Sequence, residues 1–133
     1  MQWQPHPRRI TAEYAHLRRA IQGVVADQLP PGQTVLVISK GDEELVRLDG
    51  RRGWHFPRDR EGRYPSIYPA DSAEAITQLE AGRAHGAGYL LIPKPALWWL
   101  DFYTGFKEHL ERHYKLAVRD DETCVIFDVR GSA

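Results

Sequence analysis

The sequence predicts an α/β domain, specifically a three-layer, Rossmann-like sandwich whose sheet is mostly parallel and ends in an antiparallel C-terminal hairpin. Two observations lead to this fold class. Residues 34–39 form a β-branched apolar run without polar alternation, typical of a strand buried on both faces, and residues 89–92 form a further apolar run. Segments with helical periodicity alternate with such runs along the chain, and this order predicts a sheet with helices on its faces.

The composition is that of one ordinary globular domain. The chain has 133 residues, of which 42% are hydrophobic and 27% charged, and domains usually have about 100–150 residues. We expect a flexible leader over residues 1–10 and a single α/β domain over residues 11–131. Eighteen basic and eighteen acidic side chains cancel, so no global field attracts nucleic acid or a membrane surface. With no long apolar run and no signal peptide, the predicted location is the cytoplasm.

The first half of the domain is predicted as helix, strand, short helix and strand. A helical pattern begins at Thr11 and ends before Pro30-Pro31-Gly32, because proline cannot continue a helix. The run at 34–39 predicts a buried strand, 43–48 a short helix and 53–56 a second strand.

The second half repeats the alternation and closes on a hairpin. Asp71 has the position of a helix N-cap, with Glu74 three residues later at the capping-box spacing. A third strand follows at 89–92, and a helical pattern over 97–114 is expected to break near Thr104-Gly105. Residues 115–119 and 124–129 predict the two strands of the hairpin.

Polar residues follow the predicted strands where ligands bind in α/β sheets, outside the carboxyl ends. Lys40, Gly41 and Asp42 follow the first strand and could hold a phosphate or carboxylate, with Lys40 supplying charge and Gly41 allowing close backbone approach. The segment lacks the glycine pattern of a dinucleotide turn or a P-loop. The alternative is a plain turn in which Asp42 caps a short helix.

His55 ends the second predicted strand and could act as an acid, a base or a ligand-orienting donor. Asp71 and Ser72 could complete its constellation, although Asp71 also has its capping role. No nucleophile motif accompanies His55, so a structural or binding histidine is the alternative. His109 and His113 have helical spacing for two metal ligands, but they lack the HExxH pattern and no metal site is predicted.

Aromatic residues supply the other candidate binding surface. Trp98 and Trp99 are adjacent, and neighbours on a helix point about 100° apart, so one is expected in the core and the other free to stack on a ligand or partner. Tyr64, in the long loop before Asp71, could join the same wall. The arginine-rich stretch over residues 47–63 is either a contact for an anionic partner or a solvated loop.

Several segments together resemble a bacterial α/β module with no assigned activity, which recurs as an accessory part of glycosyltransferase-associated proteins. The similar segments are VLVISKGDEEL, GWHFP, YPADS, YLLIPKPALWWLDFY and CVIFDVR. The resemblance covers roughly residues 14–130 and implies no catalytic residue. One departure is Lys94-Pro95, where the pattern more often has small residues, so a ligand pocket there would differ.

Two functions from different classes follow as expectations. The first is a non-catalytic binding or scaffolding module, accessory to bacterial glycan or secondary-metabolite glycosyltransferase systems. Its partner would be a glycosyltransferase or other biosynthetic protein, or a glycan or small-molecule ligand. The alternative is a small enzyme acting on a phosphorylated or carboxylated metabolite, with Lys40 holding the anion and His55 as acid or base. No cofactor is predicted for either.

Overall fold

A computed structural model describes residues 11–131, and the predicted leader lies outside this range. The described chain contains four α-helices and a six-stranded mixed sheet, which confirms the α/β class. The helices are α1 (Ala12–Gln28), α2 (Ser72–Ala84), α3 (Trp98–Phe102) and α4 (Thr104–His113). The strands are β1 (Thr34–Val37), β2 (Arg47–Leu48), β3 (Arg51–His55), β4 (Tyr89–Pro93), β5 (Lys115–Asp120) and β6 (Cys124–Asp128).

The strands lie in the order β2-β3-β1-β4-β6-β5. The central strand β1 is parallel to both neighbours, with Val35 opposite Gly53 of β3 and Tyr89 of β4. The contacts β2–β3, β4–β6 and β5–β6 are antiparallel. The predicted C-terminal hairpin is therefore present, and parallel pairing is confined to the centre of the sheet.

Apolar residues on the two faces of the sheet belong to separate clusters. Val35 and Val37 pack with residues of α1, whereas Leu36 and Ile38 pack with residues of α2, α3 and α4. Successive side chains of a strand point to opposite faces, so α1 covers one face and the other three helices cover the other. This double coverage explains why the run at 34–39 shows no polar alternation.

Two predicted helical segments differ from the observed structure. Residues 43–48 form a four-residue 3₁₀ turn, Glu43–Val46, followed by β2, because Arg47 and Leu48 pair with β3 instead of continuing the helix. The helix predicted over 97–114 is divided at Tyr103, whose backbone (φ −95°, ψ 75°) is not helical. The break predicted near Thr104-Gly105 is thus confirmed, and it lies at Tyr103, one residue before Thr104.

Side chains cap the starts of α1 and α2, and the cap at Asp71 is the one that the sequence predicts. The Thr11 side chain accepts a hydrogen bond from the amide of Tyr14, and that of Asp71 accepts one from the amide of Glu74. Tyr103 Oη donates to the carbonyl of Pro69 at 2.7 Å, which attaches the long loop before α2 to the junction between α3 and α4. Within residues 11–131, no helix combines the length and the apolar character needed to cross a membrane.

Candidate functional site

A cleft opens between the carboxyl ends of β1 and β4. The chain leaves β1 towards β3 on one side and leaves β4 towards β6 on the other, so the connections diverge between these two adjacent strands. Such a divergence creates a crevice, and it is the usual ligand position in open α/β sheets. The cleft has a volume of about 450 Å³, within the usual range of small-molecule sites.

The walls of the cleft are divided between apolar and polar side chains. Apolar lining comes from both strand ends and from the short 3₁₀ turns that follow them: Ile38, Leu45, Pro93, Pro95 and Ala96. Polar lining comes from the start of α1 and the segment after β1: Thr11, Tyr14, Ser39, Lys40 and Asp42. An apolar pocket with a few convergent polar groups is typical of a binding site for a small molecule.

Asp42 is held by side chains of α1. Tyr14 Oη donates to one carboxylate oxygen at 2.5 Å, and Arg18 donates to both oxygens at 3.2 and 3.0 Å. Burial and the hydrogen bond to Asp42 raise the pKa of Tyr14 to about 12. Burial of Asp42 opposes ionisation, but the hydrogen bonds from Arg18 and Tyr14 outweigh it and lower the pKa of Asp42. Its negative charge is therefore offset by Arg18.

The turn after β1 gives Lys40 its position. Lys40 and Gly41 both have left-handed backbone conformations, with φ of 54° and 84°, and an αL conformation in a non-glycine residue costs free energy. The amide of Asp42 donates to the carbonyl of Ser39 at 3.0 Å and closes the turn. A Cβ at Gly41 would lie 3.1 Å from the ring of Tyr64, so Tyr64 covers this turn.

His55 forms a hydrogen-bonded chain with Ser39 and Glu43. Ser39 Oγ lies 2.5 Å from Nδ1 of His55, and Nε2 of the same ring lies 3.0 Å from a carboxylate oxygen of Glu43. A carboxylate only accepts, so Nε2 carries a hydrogen towards Glu43, and in the neutral ring Nδ1 accepts the hydroxyl proton of Ser39. The amide of Gly41 also donates to Ser39 Oγ at 3.2 Å. Both ring nitrogens of His55 are thus engaged in holding the turn.

Asp71 and Ser72 are occupied at the start of α2. Asp71 accepts from the amide of Glu74 at 2.9 Å, as an N-cap. Ser72 lies against α4, because a Cβ built on Gly105 would come within 2.9 Å of its Cβ. Neither residue lines the cleft.

The two tryptophans have different environments. Trp99 is fully buried, with its ring 4.8 Å from that of Tyr103, whereas Trp98 is only partly buried. Trp98 contacts two exposed aromatic rings, those of Tyr68 at 5.2 Å and Phe102 at 5.9 Å. The interaction role predicted for the exposed tryptophan therefore falls on Trp98.

The structure divides the predicted site residues into three places. One group surrounds the turn after β1: Lys40, Gly41, Asp42, His55 and Tyr64. Asp71 and Ser72 begin α2, and Trp98 and Trp99 belong to the aromatic cluster around α3.

Sequence reasoning missed Tyr14, Arg18, Ser39 and Glu43. Glu43 follows the predicted Lys40–Asp42 segment, and Ser39 precedes it at the strand end, where the rule about strand ends places it without assigning it a role. Tyr14 and Arg18 are four residues apart on α1 and so lie on one helical face, but nothing in the sequence directs that face towards Asp42.

Comparisons with protein-family models, curated proteins and solved structures find no match for this chain.

Proposed function

We propose that this domain is a binding module whose ligand is a small molecule with an anionic group, held in the cleft between β1 and β4. The observation that carries the proposal is Lys40 at the mouth of a cleft that lies where the connections of β1 and β4 diverge. Rossmann-like layering, as predicted from the sequence, would give the cleft the same place relative to the sheet as known ligand sites.

The charges around the cleft favour an anion. Asp42 is the acidic residue among those that line the cleft. Arg18 offsets the negative charge of its carboxylate through two hydrogen bonds. Within residues 11–131, Lys40 forms no salt bridge. Its ammonium group is therefore available to a phosphate or carboxylate in the cleft.

The state of His55 favours binding over catalysis. A general acid or base acts directly on a substrate only when a ring nitrogen lies within hydrogen-bond reach of it, and the two ring nitrogens of His55 face Ser39 and Glu43 instead. His55 is also buried, and it does not line the cleft. We assign it the role of holding the turn that presents Lys40.

The sequence resemblance supplies the biological setting of the proposal. A module accessory to glycosyltransferase systems would recognise an intermediate or a product of glycan assembly, and many such compounds are phosphorylated. We therefore propose that the protein is bacterial, that it is located in the cytoplasm, and that its partner is a glycosyltransferase.

Binding of inorganic phosphate tests the proposal directly. We expect phosphate to raise the midpoint of thermal unfolding, since a ligand at a hundredfold excess over its Kd stabilises the native state by about 2.7 kcal/mol. Lys40→Ala should abolish the shift. Lys115→Ala, which removes the same charge from an exposed position on β5, should retain it. Acetate in place of phosphate separates carboxylate binding from phosphate binding.

Two outcomes contradict the proposal. The first is that neither anion shifts the midpoint of thermal unfolding, even at a concentration tens of times the Kd of a typical weak site. The second is a shift of equal size in the wild type and in Lys40→Ala, because the anion would then bind elsewhere.

The chain Glu43–His55–Ser39 favours one second candidate, an enzyme acting on a phosphorylated or carboxylated metabolite. A histidine between a carboxylate and a serine hydroxyl is the arrangement that activates serine nucleophiles. This candidate expects slow release of phosphate or acid from small esters, abolished in both Ser39→Ala and His55→Ala. An intact ester after long incubation with the wild type contradicts it.

A further inference from the structure

A second cavity adjoins the cleft between β1 and β4. It has a volume of about 740 Å³, and Thr11 and Tyr14 line both spaces. Lys94, Glu122 and Thr123 form its other side, between the end of β4 and the turn of the hairpin. A ligand bound beside Lys40 therefore has room to extend past Tyr14 into this cavity.

The second cavity carries more carboxylates than cations. Glu13 and Glu122 supply two carboxylates, Lys94 supplies one ammonium group, and His16 supplies an imidazole. Lys94 Nζ donates to Glu122 at 2.9 Å, and this hydrogen bond, with the charge of Glu13, raises the pKa of Lys94. Lys94 is thus already neutralised, and a second phosphate placed here would face uncompensated negative charge.

Neutral hydroxyl groups fit this cavity better than a second anionic group. Carboxylates only accept hydrogen bonds, and an ammonium group only donates them. A hydroxyl does both, so a polyol can donate to Glu13 and Glu122 while it accepts from Lys94. Leu17 and Ala20 add apolar lining, which suits the C–H groups of a sugar ring.

We infer that the two cavities form one bipartite site for a sugar phosphate. The phosphate lies beside Lys40, and the sugar hydroxyls contact Glu13, Lys94 and Glu122. The inference rests on the proposed function, because the phosphate subsite is the anion site described above, and it extends that function by naming the class of ligand.

Calorimetric titration of the full chain separates the two subsites. The probes are inorganic phosphate, glucose, glucose 1-phosphate and glucose 6-phosphate. We expect at least one sugar phosphate to bind at least tenfold more tightly than inorganic phosphate, since only the sugar phosphate fills both cavities. Lys40→Ala should weaken phosphate and sugar phosphate alike.

Glu13→Gln and Glu122→Gln test the sugar subsite. Both side chains are exposed, so the variants should fold, and circular dichroism checks this. We expect a several-fold loss of sugar phosphate affinity with no loss of phosphate affinity. Removing a negative charge by itself strengthens the binding of any anion, so this loss has the opposite sign to a general electrostatic effect. Glu111→Gln, an exposed change on α4, is the matched control.

The outcomes distinguish the inference from the proposed function. If phosphate binds and every sugar phosphate binds no more tightly, the anion site stands and the bipartite site is wrong. If a sugar phosphate binds more tightly but neither glutamine variant weakens it, the sugar lies elsewhere and the inference is again wrong. If neither phosphate nor any sugar phosphate binds, the proposed function fails and the inference fails with it.

Discussion

Gly53 shows how one residue controls the packing of a strand against the preceding turn. A Cβ at this position in β3 would lie only 2.2 Å from the carbonyl oxygen of Val46. That oxygen is backbone and belongs to the 3₁₀ turn that leads into β2, so it cannot move without shifting the turn. Position 53 therefore requires glycine because there is no room for a side chain, and its backbone does not have a left-handed conformation.

We predict that Gly53→Ala destabilises the domain by about 3 kcal/mol, at the upper end of the usual cost of overpacking. Gly23→Ala is the matched control. A Cβ at Gly23 meets nothing within 4 Å, and the residue lies inside α1, where alanine is favoured over glycine by about 0.5–1 kcal/mol. Urea denaturation measures both changes. Equal stability of Gly53→Ala and the wild type would contradict the observed packing of β3.

The helices α2 and α4 are joined by a polar cluster centred on Glu80. One carboxylate oxygen of Glu80 accepts from Tyr114 Oη at 2.5 Å and lies 2.9 Å from Nε2 of His109. The other accepts from Arg83 at 2.6 Å. Partial burial by itself raises the pKa of Glu80, but these hydrogen bonds outweigh it and lower the pKa to about 2.

A lowered pKa in the folded state makes the stability of the domain depend on pH. The contribution of Glu80 is fully present above the usual glutamate pKa of about 4.5 and is lost as the pH falls towards 2. Since 36% of the side chain is exposed, solvent screening limits this contribution to about 1 kcal/mol.

We predict that Glu80→Gln lowers the free energy of unfolding by about 1 kcal/mol at pH 7 and by progressively less below pH 4.5. Urea denaturation at a series of pH values between 7 and 3 measures the difference from the wild type. Glu108→Gln, on an exposed position of α4, should show no such trend. A Glu80→Gln deficit that stays constant down to pH 3 would mean that the carboxylate charge does not join these helices.

The two hydrophobic clusters share the central strands of the sheet and should therefore unfold together. Leu36 and Leu90 belong to one cluster, and Val35 and Leu91, on the opposite face of the same strands, belong to the other. Neither cluster can lose its packing while the strands between them stay in place. We expect a single cooperative transition, as for most domains of this size.

Tryptophan fluorescence and far-ultraviolet circular dichroism should give coincident unfolding curves in urea. Trp54, Trp98 and Trp99 all report the cluster that includes α2, α3 and α4, whereas the dichroism signal includes α1. Trp3 lies outside the described residues, so the measurement uses a Trp3→Phe variant. A fluorescence transition that clearly precedes the dichroism transition would mean that the two faces unfold separately.

Cys124 provides an independent probe of the same transition. It is the one cysteine of the chain, it is fully buried in the cluster around α1, and burial with the charge of Asp120 raises its pKa to about 12. Because the thiolate is the reactive form, we predict almost no reaction with a disulfide reagent in the native state. The reaction should accelerate in urea with the unfolding transition, and rapid labelling without urea would contradict the burial.

Local sequence patterns were sufficient for most elements and insufficient for the candidate site. The N-cap Asp71, the start of a helix near Thr11, the buried run around Leu36 and the closing hairpin were predicted from neighbouring residues alone. The pairing of Asp42 with Arg18 could not be, because the two residues are 24 positions apart and neither has a motif that identifies its partner.

By itself, the sequence determined the α/β class, the order of the main helices and strands apart from β2, and the edge of the sheet where polar residues collect. These properties depend on periodicity, capping and turn residues, which act over a few positions. Only the tertiary structure decided that Trp99 is fully buried and Trp98 only partly, that His55 is engaged on both sides, and that Tyr14 lines two adjoining cavities. Those properties depend on how α1 and the strand ends pack together, and packing brings together residues whose separation along the chain carries no local signal.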